Sequence, residues 1–154
     1  MAEQITIRLP DGSTRELATG TTAAGLAAEI GSRLAKAAVI AVINGEERDL
    51  VTELRDGDEV AIVTAESPQG LFTIRHSTAH VLAQAVLDLF PGTTFGIGPV
   101  VEDGFYYDFE LPGGGTFAVD ELEAIEARMR EIIGEAQPFV RDEMPAERAR
   151  AIFT

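Results

Sequence analysis

Ile5, Ile7 and Leu9 alternate with Thr6 and Arg8, the two-residue period of a strand with one face in a core. Pro10-Asp11-Gly12 follows with turn chemistry, and Ser13 to Leu17 returns as the second strand of a hairpin. The period then lengthens. Leu26, Ile30 and Leu34 recur at helical spacing through Ala-rich sequence, with Thr21 or Thr22 as cap and Gly31 as a break. Val39 to Ile43 is a β-branched run ending at Asn44-Gly45, a strong hairpin signal. After the turn Leu54-Arg55-Asp56-Gly57-Asp58, Val60 to Val63 supplies a last strand. This order within residues 1–65 suits a small sheet wrapped over one helix, a β-grasp arrangement in the α+β class.

Residues 66–70, Glu66-Ser67-Pro68-Gln69-Gly70, read as a linker to a second α/β unit at 71–154. Leu71 to Ile74 opens that unit and leads into a helix over Ser77 to Phe90, stopped by Pro91-Gly92. Val81, Leu82, Val86 and Leu89 form its apolar stripe; His76, His80, Ala79 and Ala83 lie on a different face. Phe95 to Val101 and Gly104 to Leu111 read as strands joined by an acidic turn, and Pro112 to Gly115 as a loop tip. Asp120 with Glu123 resembles a capping box, opening a helix whose apolar face is Leu122, Ile125, Met129 and Ile132. Glu126 and Arg130 add an i, i+4 pair on that helix. Phe139 to Arg141 reads as a strand and Glu147 to Phe153 as a final helix.

Composition narrows the function classes. With 45% hydrophobic and 25% charged residues, the 154-residue chain reads as globular. The absence of Cys excludes disulfides and thiolate metal sites and points to a cytoplasmic protein. The longest strongly apolar run, Ala37 to Ile43, falls short of the roughly 20 residues a bilayer requires. Met1-Ala2-Glu3-Gln4 has no secretion signal, so no membrane partner is expected. The net charge is −14, from 12 Lys plus Arg against 26 Asp plus Glu, which argues against tight autonomous nucleic-acid binding.

The chemistry concentrates at Arg75-His76-Ser77-Thr78-Ala79-His80-Val81-Leu82, which holds both histidines of the chain. Four residues is one helical turn, so both imidazoles project from one face. Such a pair can take or give a proton near neutral pH, which suits hydrolysis of an activated ester. It can also supply half of a metal site, or serve as an ordinary polar face. Ala and Ser neighbours leave room beside the rings, as a substrate pocket would.

Residues 75–85, followed by Ile97-Gly98-Pro99-Val100-Val101-Glu102-Asp103-Gly104-Phe105-Tyr106-Tyr107-Asp108-Phe109, resemble the HxxxH helix and strand pair of threonyl-tRNA synthetase editing domains. Residues 1–65 resemble the TGS domain that opens bacterial-type members of that family. The resemblance covers essentially the whole chain. It implies a parent enzyme that attaches threonine to tRNA with ATP, and an editing domain that hydrolyses seryl-tRNA made by mistake. His76 would position or deprotonate the attacking water, and His80 would orient it or the ribose of the ester. Gly98, Tyr106 and Asp108 are the accompanying candidates for substrate binding. Each also has a plainer reading: a turn, a core or surface ring, a solvated carboxylate.

The chain departs from the family pattern in having no Cys-x-x-x-His segment and no third His. The catalytic core, with its ATP, Mg and Zn sites and its expected dimer contact, is not represented. The resemblance therefore implies an N-terminal fragment that needs no cofactor, bears half an editing site and is inactive by itself. A regulatory TGS module that binds a ligand or RNA without catalysis is the competing reading, and a metal-binding domain built on His76 and His80 is a third.

Overall fold

The computed structural model describes residues 4–138, 140 and 142–153. Strands β1 (Gln4–Arg8) and β2 (Thr14–Ala18) pair antiparallel with Ile5 opposite Leu17. Helix α1 (Ala23–Ile30) is capped by Thr22, whose hydroxyl accepts the Gly25 N–H at 3.2 Å. The break expected at Gly31 is present, and a short α2 (Ser32–Ala37) follows it. Strand β3 (Ala38–Ile43) lies between β4 (Glu46–Arg48) and β5 (Val60–Thr64), antiparallel to both. A single parallel bridge, Arg8 with Glu59, joins the β1 hairpin to this second sheet. Helix α1 packs on β3 and β5. Ile7, Leu26 and Val60 have the largest fully buried side chains of this core. Each contributes about 1.5–3 kcal/mol by leaving water.

The Asn44-Gly45 turn is a two-residue connection with both residues at positive φ, 53° and 82°. Asn44 does more than turn the chain. Its Nδ2 donates to Asp58 Oδ1 at 2.7 Å, and its Oδ1 accepts the Glu59 N–H at 2.9 Å. The nearly buried Asp58 carboxylate also accepts the Arg55 N–H at 2.8 Å. Asn44→Ala removes both bonds and leaves an alanine in left-handed backbone, so we expect a loss of about 2–4 kcal/mol. Urea denaturation checks this: the midpoint should fall with the slope kept.

The second half begins earlier than its apolar pattern predicts. Helix α3 runs from Pro68 to Leu89, so Pro68-Gln69-Gly70 is helix rather than linker. Ser67 is the N-cap and accepts the Gly70 N–H at 3.0 Å, and Pro68 occupies the first turn, where its missing N–H costs nothing. The same Ser67 hydroxyl donates to the Thr64 carbonyl at 2.8 Å, tying the helix directly to the end of β5. Gln69 Nε2 donates to Glu47 Oε1 at 2.6 Å across the same junction.

The expected strand pair is a hairpin in two pieces. β6 (Thr94–Phe95) pairs with β9 (Phe109–Glu110), and β7 (Val100–Val101) pairs with β8 (Gly104–Phe105). The partner register shifts by one residue between the pieces, the mark of an extra residue between Gly96 and Pro99. Gly98 explains the irregularity: a Cβ there would sit 2.2 Å from Tyr107 Cδ2. Tyr107 in turn stacks on Phe109 at 5.0 Å, and Phe109 meets Phe117 edge-on at 6.0 Å.

Helix α4 (Val119–Glu135) starts one residue before Asp120, with Ala118 as N-cap. The carboxylate of Glu121, not Glu123, reaches back to the Ala118 N–H at 2.6 Å. Helix α4 runs antiparallel to α3, with Arg128 opposite Asp88 and Gln137 opposite Gln84. Ile125 and Ile132 are buried against Ala85 and Val86, with Met129 beside them. Leu122 stays 52% exposed, because its position on α4 carries it past the end of α3 at Leu89. The expected Glu126–Arg130 pair forms. Helix α5 (Ala146–Phe153) closes the described chain. The strand expected at Phe139 to Arg141 rests on residues outside the described ones.

Candidate functional site

Phe72, His76, His80 and Gln84 follow one another at four-residue steps along α3 and so share one helical face. His76 Nε2 and His80 Nε2 are 3.0 Å apart, and the rings meet edge-on with centroids at 4.7 Å. A hydrogen bond at this contact requires a proton on one Nε2 and a lone pair on the other. Both side chains are exposed. The expectation that Ala79 and Ala83 leave space beside the imidazoles is corrected: both alanines are buried, at 1% and 7% exposure, and form the packing side of the helix.

A cavity of about 400 Å³ lies between α3 and the end of α4. Ser77, His80, Val81 and Gln84 line one wall, and Ile132 and Gln137 line the other. Ala136 ends α4 in left-handed backbone, φ 47° and ψ 46°, and so turns Gln137 back toward α3. Gln84 Nε2 then meets Gln137 Oε1 across the cleft at 3.5 Å. His76 stands outside the cavity, so the pair bridges its rim to open surface. Ser77, Gln84 and Gln137 line the cavity although no motif in the sequence marks them. Gln84 had a visible signal, since it continues the row of His76 and His80 by one turn.

Arg128 bridges the two helices that form the cavity. Its Nη2 donates to Asp88 Oδ2 at 2.9 Å, and its Nη1 donates to Glu131 Oε2 at 3.0 Å. These bonds, first to Glu131 and then to Asp88, hold the guanidinium protonation equilibrium well above its usual value.

The other candidates do not join the histidines. Gly98 is occupied by its contact with the Tyr107 ring. Tyr106 is 54% exposed on the hairpin, as expected for a residue facing away from Tyr107. Asp108 is exposed and lines a separate hollow of about 270 Å³ with Tyr107, Phe109 and Phe117. Its N–H and carbonyl bond across the hairpin to Ile97 and Gly96. The hairpin itself rests on α3, where Arg75 Nη1 donates to the Glu102 carbonyl at 2.5 Å. Among the described residues, no group of three or more His, Cys, Asp or Glu could hold a metal ion. The two imidazoles alone fall short of the three or four ligands a zinc site requires.

Comparison with known proteins supplies the context for this geometry. The TGS domain family model matches residues 5–64, the β-grasp half. The whole chain is similar to curated threonine–tRNA ligases. It is 49% identical to that of Pelobacter propionicus over 150 residues, which is 97% of this chain and 23% of that protein. It is 46% identical to that of Rubrobacter xylanophilus over 148 residues, 96% of this chain and 23% of that protein. It is also 46% identical to that of Brucella canis over 154 residues, all of this chain and 23% of that protein. The chain thus spans 23% of the length of the curated relatives it matches. Residues 5–64 match the TGS domain family, and from end to end the chain is similar to the N-terminal region of bacterial threonine–tRNA ligases.

Proposed function

We propose that the chain works as the N-terminal part of a threonine–tRNA ligase, a TGS unit over residues 1–65 followed by part of a hydrolytic editing domain over 71–154. The parent activity is attachment of threonine to tRNA with ATP. The activity proposed for the α3 face is removal of serine attached in error. ATP, Mg²⁺ and Zn²⁺ sites, and the subunit contact of a homodimer, belong to regions outside these 154 residues. A cytoplasmic location follows from that role. No described helix is long and apolar enough to cross a membrane.

The single observation that carries the reading is the His76–His80 contact at 3.0 Å on the edge of a roughly 400 Å³ cleft. One imidazole offers a proton and its neighbour offers a lone pair, which is the complement of a water molecule. A water that enters the pair accepts from one Nε2 and donates to the other. As its oxygen attacks the ester carbonyl, the accepting Nε2 takes its proton, and the ribose hydroxyl leaves with a proton from the imidazolium so formed. By the resemblance, His76 is the ring assigned to position or deprotonate that water. His80, which reaches into the cleft, orients the water or the ribose.

The selective need is physical. Serine lacks one methyl group, and a synthetic pocket gains only ~1–3 kcal/mol of discrimination from it. A second, smaller site that admits serine and excludes threonine supplies the remainder. The complete ligase should therefore hydrolyse seryl-tRNA much faster than threonyl-tRNA, and His80→Ala should remove that preference by lowering the seryl rate. Deacylation of the two charged tRNAs in parallel checks this; equal rates with the wild-type enzyme would remove the editing role.

A further inference from the structure

Phe72 is the member of the histidine row that the proposed chemistry leaves unused. It stands one helical turn before His76 on the same face, and 55% of it is exposed to solvent. Its neighbours Leu71 and Ile74 are also exposed but lie on other sides of α3. The Phe72 ring is nearly parallel to the His76 ring, with 12° between planes and 6.4 Å between centroids. That separation is at the wide end of the ~4.5–7 Å range of aromatic pairs, so the imidazole leaves most of the phenyl face open.

Resting on the editing reading above, we propose that Phe72 is a stacking platform for the terminal adenine of the charged tRNA, which places the aminoacyl ester over His76 and His80. Spacing supports this. Phe72 is about 6–12 Å along the helix axis from the two histidines at ~1.5 Å per residue, the scale of one nucleoside with its ester. Charge supports it as well. A chain of net charge −14 is poorly suited to gripping phosphates, and the nearby Arg75 is already engaged by the Glu102 carbonyl. A ring face needs no cation, and every base has a π-face to offer it. The competing occupant is an aliphatic protein surface, which would use Phe72 only as apolar area.

The test uses the complete ligase with seryl-tRNA at varied concentration. Phe72→Ala should raise KM for clearance roughly ten- to hundredfold, with kcat the lesser change. Phe72→Trp should keep KM near wild type, and Phe72→Leu should behave like alanine. An unchanged KM in Phe72→Ala, or a wild-type KM in Phe72→Leu, overturns the platform. His76→Ala run alongside separates the two ideas. If it abolishes clearance while Phe72→Ala does nothing, the platform alone falls; if it leaves clearance intact, the editing reading falls and takes the platform with it.

Discussion

His76→Ala in the complete ligase should lower the rate of seryl-tRNA clearance by about 10²–10⁴-fold, the usual worth of a positioned acid–base group. The loss should fall on kcat, because the imidazole handles a proton that moves only as water attacks. Threonine attachment should persist, since it belongs to chemistry outside these 154 residues. His80→Ala should produce a loss of the same order, because the 3.0 Å contact makes each ring the other's hydrogen-bond partner. Removing either leaves the survivor without the donor or acceptor that orients it. Steady-state deacylation of saturating seryl-tRNA, corrected for enzyme-independent hydrolysis, is the measurement. A kcat unaffected by either substitution would show that the pair is an ordinary polar face.

Gly70→Ala in the first turn of α3 should destabilise the chain clearly. A Cβ at Gly70 would lie 2.0 Å from the Thr64 carbonyl oxygen and 2.7 Å from its carbon. Those are backbone atoms at the end of β5, so no rotamer change relieves the clash. The helix must lift from the strand, and the Ser67 bonds to Thr64 and Gly70 stretch with it. Overpacking of this kind costs about 1–3 kcal/mol, a fall in Tm of roughly 2–12 °C for a chain of this size. Gly134 in α4 is the control, because a Cβ there meets nothing within 4 Å. Gly134→Ala should raise stability by about 0.5–1 kcal/mol, as alanine is the better helix former. Thermal unfolding of the two variants should move in opposite directions.

The features legible in the sequence were those set by local chemistry. Asn44-Gly45 demanded a mirror-image turn, Thr22 a cap and Gly31 a break, and none depends on distant contacts. The helical pairing of His76 with His80 was legible for the same reason. The start of α3 is less legible, because the cap at Ser67 and the first-turn Pro68 also resemble linker residues. The hairpin was read as continuous because nothing local says that the Tyr107 ring must cross Gly98. The far wall of the cleft was invisible for a further reason. It depends on Ala136 adopting left-handed backbone, an unfavourable choice for alanine, so sequence gave no hint that Gln137 would turn toward Gln84. Burial of Ala79 and Ala83 was equally a tertiary fact, since small residues carry little hydrophobic signal of their own.

The central claim is that the two imidazoles act as one unit on the ester of a mischarged tRNA. The direct measurement is the clearance rate of the complete ligase bearing His76→Ala, His80→Ala, or both. Two groups that share one proton and one water should be lost together, so the double variant should be about as slow as the slower single one. Losses that multiply would mean two independent roles, and a double variant that clears serine at the wild-type rate would contradict the account outright.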